Sequence, residues 1–254
     1  MRRAMDHHRF VFLAGLHRSG TTLLGRLIAA HPEVSGFSGT GAPAEEGQHL
    51  QTVYPPATAW GGPGSFGFSP EAYFTEAQAS PEQAQQLFAE WSPYWDLSRP
   101  VLVEKSPPNL LKTRYLQALF PRSSFVVVLR HPIAASMATV KFRPTRRLGR
   151  MIAHWLRCYE TFEADKPQLE RVHVVRYEDL VREPEPVLRG VFDFLGLDPV
   201  PPSEPVEAGA DERYFAQWQA LKRDPRMRAY LDLSELRYQR RAGRFGYTLF
   251  RPGR

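Results

Sequence analysis

Residues 9–22, Arg9-Phe10-Val11-Phe12-Leu13-Ala14-Gly15-Leu16-His17-Arg18-Ser19-Gly20-Thr21-Thr22, decide the fold. Residues 9–14 (RFVFLA) form a short apolar run rich in β-formers, as in a buried strand. From Thr21 to Ala30 the pattern turns helical. His31-Pro32 ends it, because the residue before a proline is pushed out of the helical region. Between strand and helix stands the spacing G-x-x-x-x-G-T-T. Glycines let backbone N–H groups close on phosphate oxygens, and the helix N-terminus adds partial positive charge. Ser19, Thr21 and Thr22 add hydroxyl donors. This is a strand, an anion-cradling turn and a helix.

Working outward, VLVE (101–104) reads as a short strand and 109–119 as a helix closed by Phe120-Pro121. SFVVVLR (124–130) is the strongest strand, apolar on both faces as a central parallel strand must be. Helices are expected from Pro132 and over 147–164, a strand at VHVVRY (172–177), and a helix over 184–195 with Gly196 as its C-cap. Residues 71–91 also look helical, with Pro81 starting the second half. Strands alternating with helices imply an α/β fold with a mainly parallel sheet, and ligands then sit beyond the carboxyl ends of the strands. The residues after Leu13, Val103, Leu129 and Val175 are therefore the ones that matter. Residues 35–70 hold eight glycines with Phe37, Tyr54, Trp60, Phe66 and Phe68 among them. Little periodicity is visible there, yet the aromatics argue against disorder, so the segment reads as an ordered loop beside a binding site.

The chain of 254 residues, 43% hydrophobic, is long enough to bury an ordinary core as a single domain over 1–254 without disulfides or structural metal. The single cysteine, Cys158, sits in the helical context HWLRCYETF and reads as a small core residue, with a reactive thiol as the alternative. No run approaches the ~20 apolar residues of a membrane span, and VFLAGL is short for a secretory signal. The expectation is a cytoplasmic protein with no membrane partner. Net charge is +6. Compositional bias explains an arginine excess, and so does a site for anions. The arginines are dispersed and match no recognition module, so no nucleic acid partner is expected.

A nucleoside triphosphatase or kinase would end the loop in Gly-Lys-Ser/Thr. Here Thr21 stands in place of that lysine, and the positive charge has moved to Arg18. A Mg–nucleotide site also wants an aspartate near a strand end, whereas SFVVVL ends in Arg130. Taken together, RSGTTLLGRLIAAHP resembles the 5′-phosphosulfate loop of the sulfotransferase family that uses 3′-phosphoadenosine 5′-phosphosulfate (PAPS), in particular its tyrosylprotein-sulfotransferase-like and bacterial branches. The resemblance continues through VEKSP (103–107), VVVLRHP (126–132) and VVRYEDL (174–180) and is weak after residue 196. It implies a P-loop-type three-layer fold, with the central sheet flanked by helices. It also implies sulfuryl transfer from PAPS to a hydroxyl, release of adenosine 3′,5′-bisphosphate (PAP), and no metal.

By the same resemblance, Arg18, Ser19, Gly20, Thr21 and Thr22 bind the donor at its 5′ end; His17, within the loop itself, reads as a contact to donor or acceptor. Arg130 would grip the 3′ phosphate, since a guanidinium fork suits phosphate, with a solvated strand-end arginine as the bland alternative. The family's accompanying serine falls at Ala138 here, with Ser136 and Thr139 nearby. Tyr177 matches an aromatic residue near the adenine, or is a core tyrosine; Arg176 and Asp179 are equally readable as sheet-end ion-pair residues. Lys105 matches a lysine beside the leaving group, with a salt bridge to Glu104 as the competing reading.

The attacking hydroxyl must lose a proton to a positioned carboxylate or imidazole. The stretch SGFSGTG (35–41), where the tyrosine-directed branch has its glutamate, holds no acid. Glu46 in APAEEGQHL is the first choice and His49 the second; Glu45-Glu46 as solvated surface is the bland alternative. The basic segment YQRRAGRFGYTLF (238–250) reads either as a cover over the donor or as a solvated tail. The acceptor is expected to be a small-molecule or carbohydrate hydroxyl rather than an exported protein tyrosine. A nucleotide-dependent kinase and a non-catalytic nucleotide-binding protein are the rivals.

Overall fold

In the computed structural model, which describes residues 5, 7–140 and 147–250, the run Phe10-Val11-Phe12-Leu13 lies at the centre of a parallel sheet. The strands are β1 (Arg9–Gly15), β2 (Val34–Gly36), β3 (Val101–Lys105), β4 (Ser123–Leu129) and β5 (Val172–Arg176), in the order β2-β3-β1-β4-β5. All four pairings are parallel. β1 hydrogen-bonds on both sides, with Leu13 opposite Lys105 of β3 and Gly15 opposite Val128 of β4. The chain thus turns one way after β1 and the other way into β4, which opens a crevice beyond the carboxyl end of β1.

The sheet is covered on both faces, so alternate side chains of one strand enter different cores. Val11 and Leu13 pack with Leu24, Leu27 and Ile28 of α1 (Thr21–Ala29) and with Leu188, Val191 and Phe192 of α7 (Pro184–Leu195). Phe10 and Phe12 point the other way, onto Leu87, Phe88 and Trp91 of α2 (Pro81–Trp91) and Tyr115 and Leu116 of α3 (Thr113–Leu119). The same face continues under α4 (Pro132–Val140) and α5 (Leu148–Asp165), where Val127 and Leu129 meet Ile133, Ile152 and Trp155. Each fully buried side chain of this size stabilises by roughly 1.5–3 kcal/mol, so reversing the register of one strand would be prohibitive. The expected three-layer α/β fold is what forms. Further helices are α6 (Tyr177–Arg182), α8 (Glu212–Leu221) and α9 (Pro225–Gly243).

Several elements differ from expectation. Residues 71–91 are not one helix. Short 3-10 turns at Pro70–Ala72 and Glu76–Gln78 precede α2, because Thr75 and Ser80 each close a capping box that starts the backbone afresh. The helix expected over 109–119 breaks at Lys112 (φ −133°, ψ 14°), where a 3-10 turn Pro107–Leu111 hands over to α3. Leu111 uses its carbonyl to accept from Phe74 N at 3.0 Å instead of continuing the helix. Within 35–70, β2 adds an edge strand and the rest is a chain of 3-10 turns that buries Tyr54, Ala57 and Phe66. Helix α7 ends on Gly196 in the left-handed conformation, as read. Cys158 is fully buried on α5, beside His154 and against the backbone of Gly67, and burial pushes its thiol well up.

Candidate functional site

Gly15, Lys105, Arg130 and Tyr177 all lie at or just after the carboxyl ends of their strands. The turn after β1 is built for backbone donors. Gly20 sits at φ 102° as the N-cap of α1, no side chain caps that helix, and its first turn carries no acid. Its N–H groups and partial positive charge are therefore available to an anion. A β-carbon on Gly20 would come within 2.8 Å of the Tyr177 ring, so glycine there lets Tyr177 approach the loop.

The hydroxyls are not equivalent. Ser19 is buried, and its Oγ donates to Leu16 O at 2.5 Å, so it braces the turn from inside. Thr21, in the place a kinase gives to lysine, is also buried, whereas Thr22 is half-buried. Arg18 is exposed at φ 68°, a left-handed conformation costly for an arginine. His17 packs edge-on to Phe66, with ring centroids 5.7 Å apart. Burial, helped by Lys105 and His49, pushes its imidazole down to about 3, so it is neutral at physiological pH.

Glu46, His49 and Lys105 come together from separate segments. Lys105 Nζ lies 3.6 Å from Glu46 Oε1, and His49 Nε2 lies 3.9 Å from Glu46 Oε2. Glu46 is buried, so it is not the solvated surface acid that its Glu-Glu context also allowed. Gln48 fixes it: its amide Nε2 donates to Glu46 Oε2 while its Oε1 accepts from Ala57 N at 2.8 Å. Ahead of Glu46, Ala44 and Glu45 both occupy the left-handed region (φ 53° and 52°), and Lys105 Nζ donates to Ala44 O. Two strained non-glycine residues held beside a buried carboxylate mark a place where geometry is imposed by its surroundings. Burial lowers the Lys105 ammonium from its ordinary range, against the pull of Glu46 and Glu104.

The alternative reading of Lys105, a salt bridge to Glu104, does not form. Adjacent strand residues point to opposite faces. Glu104 is instead held by Ser106 Oγ at 2.5 Å and by the Asn109 amide, and burial raises its carboxyl to about 7. Near it lies Lys112, only 1% exposed, its Nζ 5.2–5.4 Å from the Tyr54, Trp60 and Phe74 ring centroids and its ammonium pushed down to about 7 by burial.

Arg130 is buried and held by three hydrogen bonds and an aromatic ring. Its Nη1 donates to Arg18 O at 2.6 Å, its guanidinium stacks 4.0 Å from the Tyr177 ring centroid, and Nε and Nη2 both donate to Asp211 Oδ1, the former at 2.9 Å. It is therefore no solvated strand-end arginine. Ala138 is buried and offers no hydroxyl; Thr139 Oγ1 is spent on Ala135 O at 2.7 Å. Ser136 Oγ is buried with no hydrogen-bond partner, and Ser136 lines a small cavity with His17, Thr139 and His154. Tyr177 is buried, which fits a core role as well as a ligand-facing edge. Arg176 donates to Phe245 O at 2.6 Å, and Asp179 pairs with Arg182 at 2.6 Å. The basic C-terminal segment is the end of α9 and the turn after it, with Arg241 paired to Glu160 at 2.7 Å. Gln48, Lys112 and Asp211 went unread. Gln48 alone carried a local signal, its place between Glu46 and His49.

Comparison with known proteins identifies the family. A sequence model described as the sulfotransferase family matches residues 11–202. The chain belongs to that family. Among curated proteins it is 25% identical over 195 residues to protein-tyrosine sulfotransferase 2 of Gallus gallus, covering 74% of this chain and 51% of that one. It is 24% identical over 201 residues to protein-tyrosine sulfotransferase 1 of Danio rerio, covering 74% and 53%. The chain thus spans about half the length of these curated relatives. A solved sulfotransferase from Alicyclobacillus acidocaldarius shares the fold with a TM-score of 0.50 at 17% identity, over 84% of this chain and 92% of that one. No helix among the described residues is long and apolar enough to cross a membrane.

Proposed function

We propose that this chain is a sulfotransferase that moves a sulfuryl group from PAPS to a hydroxyl acceptor and releases PAP. The observation that carries the reading is the uncapped α1 N-terminus at Gly20, with buried Thr21 where a kinase needs lysine and Arg130 hydrogen-bonded to the same turn through Arg18 O. Backbone N–H groups of 20–22, Thr22 and Arg18 suit a 5′ phosphosulfate. Arg130 suits a 3′ phosphate in charge and position, with Ser136 Oγ rather than residue 138 as the hydroxyl to support it. His17 lies within the loop against Phe66, and the Tyr177 ring packs against the loop at Gly20.

The donor supplies an activated sulfuryl group whose bridging oxygen leaves with the nucleotide. Glu46, fixed by Gln48, accepts the proton of the acceptor hydroxyl, and His49 stands next to it as the second candidate. Lys105 offsets negative charge developing on the leaving oxygen; an ammonium has three donors, so its contacts to Ala44 and Glu46 leave capacity for this. Such catalysis rests on positioning and electrostatics, which fits a site whose base is braced from several segments. A small-molecule or carbohydrate alcohol is the acceptor class we favour, approached past the aromatic 3-10 turns of 57–68.

Calorimetry with PAP and with ATP–Mg²⁺, the former in chelator, tests the donor reading. PAP should bind in the micromolar range without metal. Tighter binding of ATP–Mg²⁺ would return the site to a kinase, and donor binding without turnover on any hydroxyl acceptor would leave a nucleotide-binding protein.

A further inference from the structure

Asp211 stands where an acid has no local reason to turn inward. It occupies the N-cap position of α8 but with helical backbone angles (φ −83°, ψ −31°), outside the extended conformation from which a capping aspartate accepts first-turn N–H groups. Its backbone carbonyl does take Tyr214 N and Phe215 N, both at 2.9 Å, but its side chain makes no cap bond. The carboxylate instead reaches Arg130, 81 residues away in sequence. The match is poor. Both guanidinium donors converge on Oδ1, while Oδ2 is buried with no hydrogen-bond partner. Carboxylate–guanidinium pairs frequently use both oxygens in a parallel fork, and a buried acceptor left unmade is costly. Burial accordingly raises the Asp211 carboxyl even with Arg130 against it.

A phosphate satisfies the same fork better, since it carries more oxygens and more charge. The chain leading to Asp211 is anchored at Glu204 by Arg26 and at Val200 and Val206 on the core, and has no helix or strand from 207 to 210. Residues 198–210 are mostly exposed, without helix or strand, and Gly209 just before Asp211 is left-handed at φ 81°.

We infer that Asp211 is a built-in competitor for the donor's 3′ phosphate at Arg130, a specificity-determining residue that sets donor affinity by holding the guanidinium until phosphate displaces it. The inference rests on the donor reading above. It makes Arg130 a two-position partner, with a carboxylate before the donor arrives and a phosphate after.

The test is to titrate PAP and adenosine 5′-phosphate against the wild type and Asp211→Asn by calorimetry. Removing one negative charge beside the incoming phosphate should tighten PAP on the order of tenfold, with adenosine 5′-phosphate changed by less than about twofold. A wild-type preference for PAP that Asp211→Asn leaves unchanged or weakens removes the role of Asp211 and leaves the donor reading intact. PAP binding no better than the monophosphate to either protein overturns both. Hydrogen exchange on the wild type needs no variant to fold. PAP, and not the monophosphate, should raise exchange across 198–210, and equal or greater protection there overturns the displacement.

Discussion

Lys105 and Glu46 meet 3.6 Å apart, the first from the end of β3 and the second from a strained turn in the loop after β2. The pair has an asymmetric dependence. Glu46→Gln keeps the shape of the cluster and removes the proposed base, so turnover should fall by about 10²–10⁴ while PAP affinity holds within about twofold. Lys105→Ala removes the donor to Ala44 O as well, so both turnover and the denaturation midpoint should fall. Single-turnover kinetics and urea titration separate the two. Unchanged turnover in Glu46→Gln would transfer the role to His49.

Gly20→Ala asks whether the close approach of Tyr177 to the phosphate loop matters. The substitution meets a disfavoured dihedral at φ 102° and a ring at 2.8 Å. It should cost about 1–3 kcal/mol of stability and weaken PAP. Adding Tyr177→Ala should recover the steric share and leave the backbone share, so a double-mutant cycle should show coupling. Additive losses would mean that the ring and the loop do not press on each other.

Lys112 gives a pH dependence with a definite sign. Its folded value, about 7, lies below the ordinary 10.5, so between those values the unfolded chain binds the extra proton. Stability therefore rises with pH across that window and carries the full burial penalty below pH 7. Lys112→Met should be more stable than the wild type at pH 7, by on the order of 1–3 kcal/mol at about 1.4 kcal/mol per unit after allowance for the aromatic rings and Glu104. The advantage should shrink toward pH 10. Denaturant titrations at pH 7 and 9.5 showing a constant gap would contradict this.

What the sequence made legible was whatever local chemistry imposes. The turn at 15–22 announces itself through two glycines and a helix start, Arg130 through an apolar strand that ends in charge, and Gly196 through a helix that must stop. The strand-end positions followed from parallel topology alone. Elements set by distant partners were hidden. The Arg130–Asp211 contact joins β4 to the start of α8, and no pattern near either residue encodes it. The break at Lys112 depends on Phe74 claiming the Leu111 carbonyl. Helices α8 and α9 escaped because they bury few apolar residues, Tyr214, Trp218, Leu231 and Ala242, while α9 leaves Leu233 and Leu236 exposed, so neither shows a clean apolar stripe. Glu46 was nameable as a base from its place in the chain, but its clamp by Gln48 required the fold.

The lone thiol of Cys158, sealed between α5 and the Gly67 backbone, makes the molecule its own reporter of opening. Alkylating or maleimide reagents have no other cysteine to find, and this one is neither accessible nor ionised while the native packing lasts. Labelling therefore keeps time with excursions of the aromatic loop away from α5, and a ligand that clamps that loop over the catalytic crevice will slow the clock.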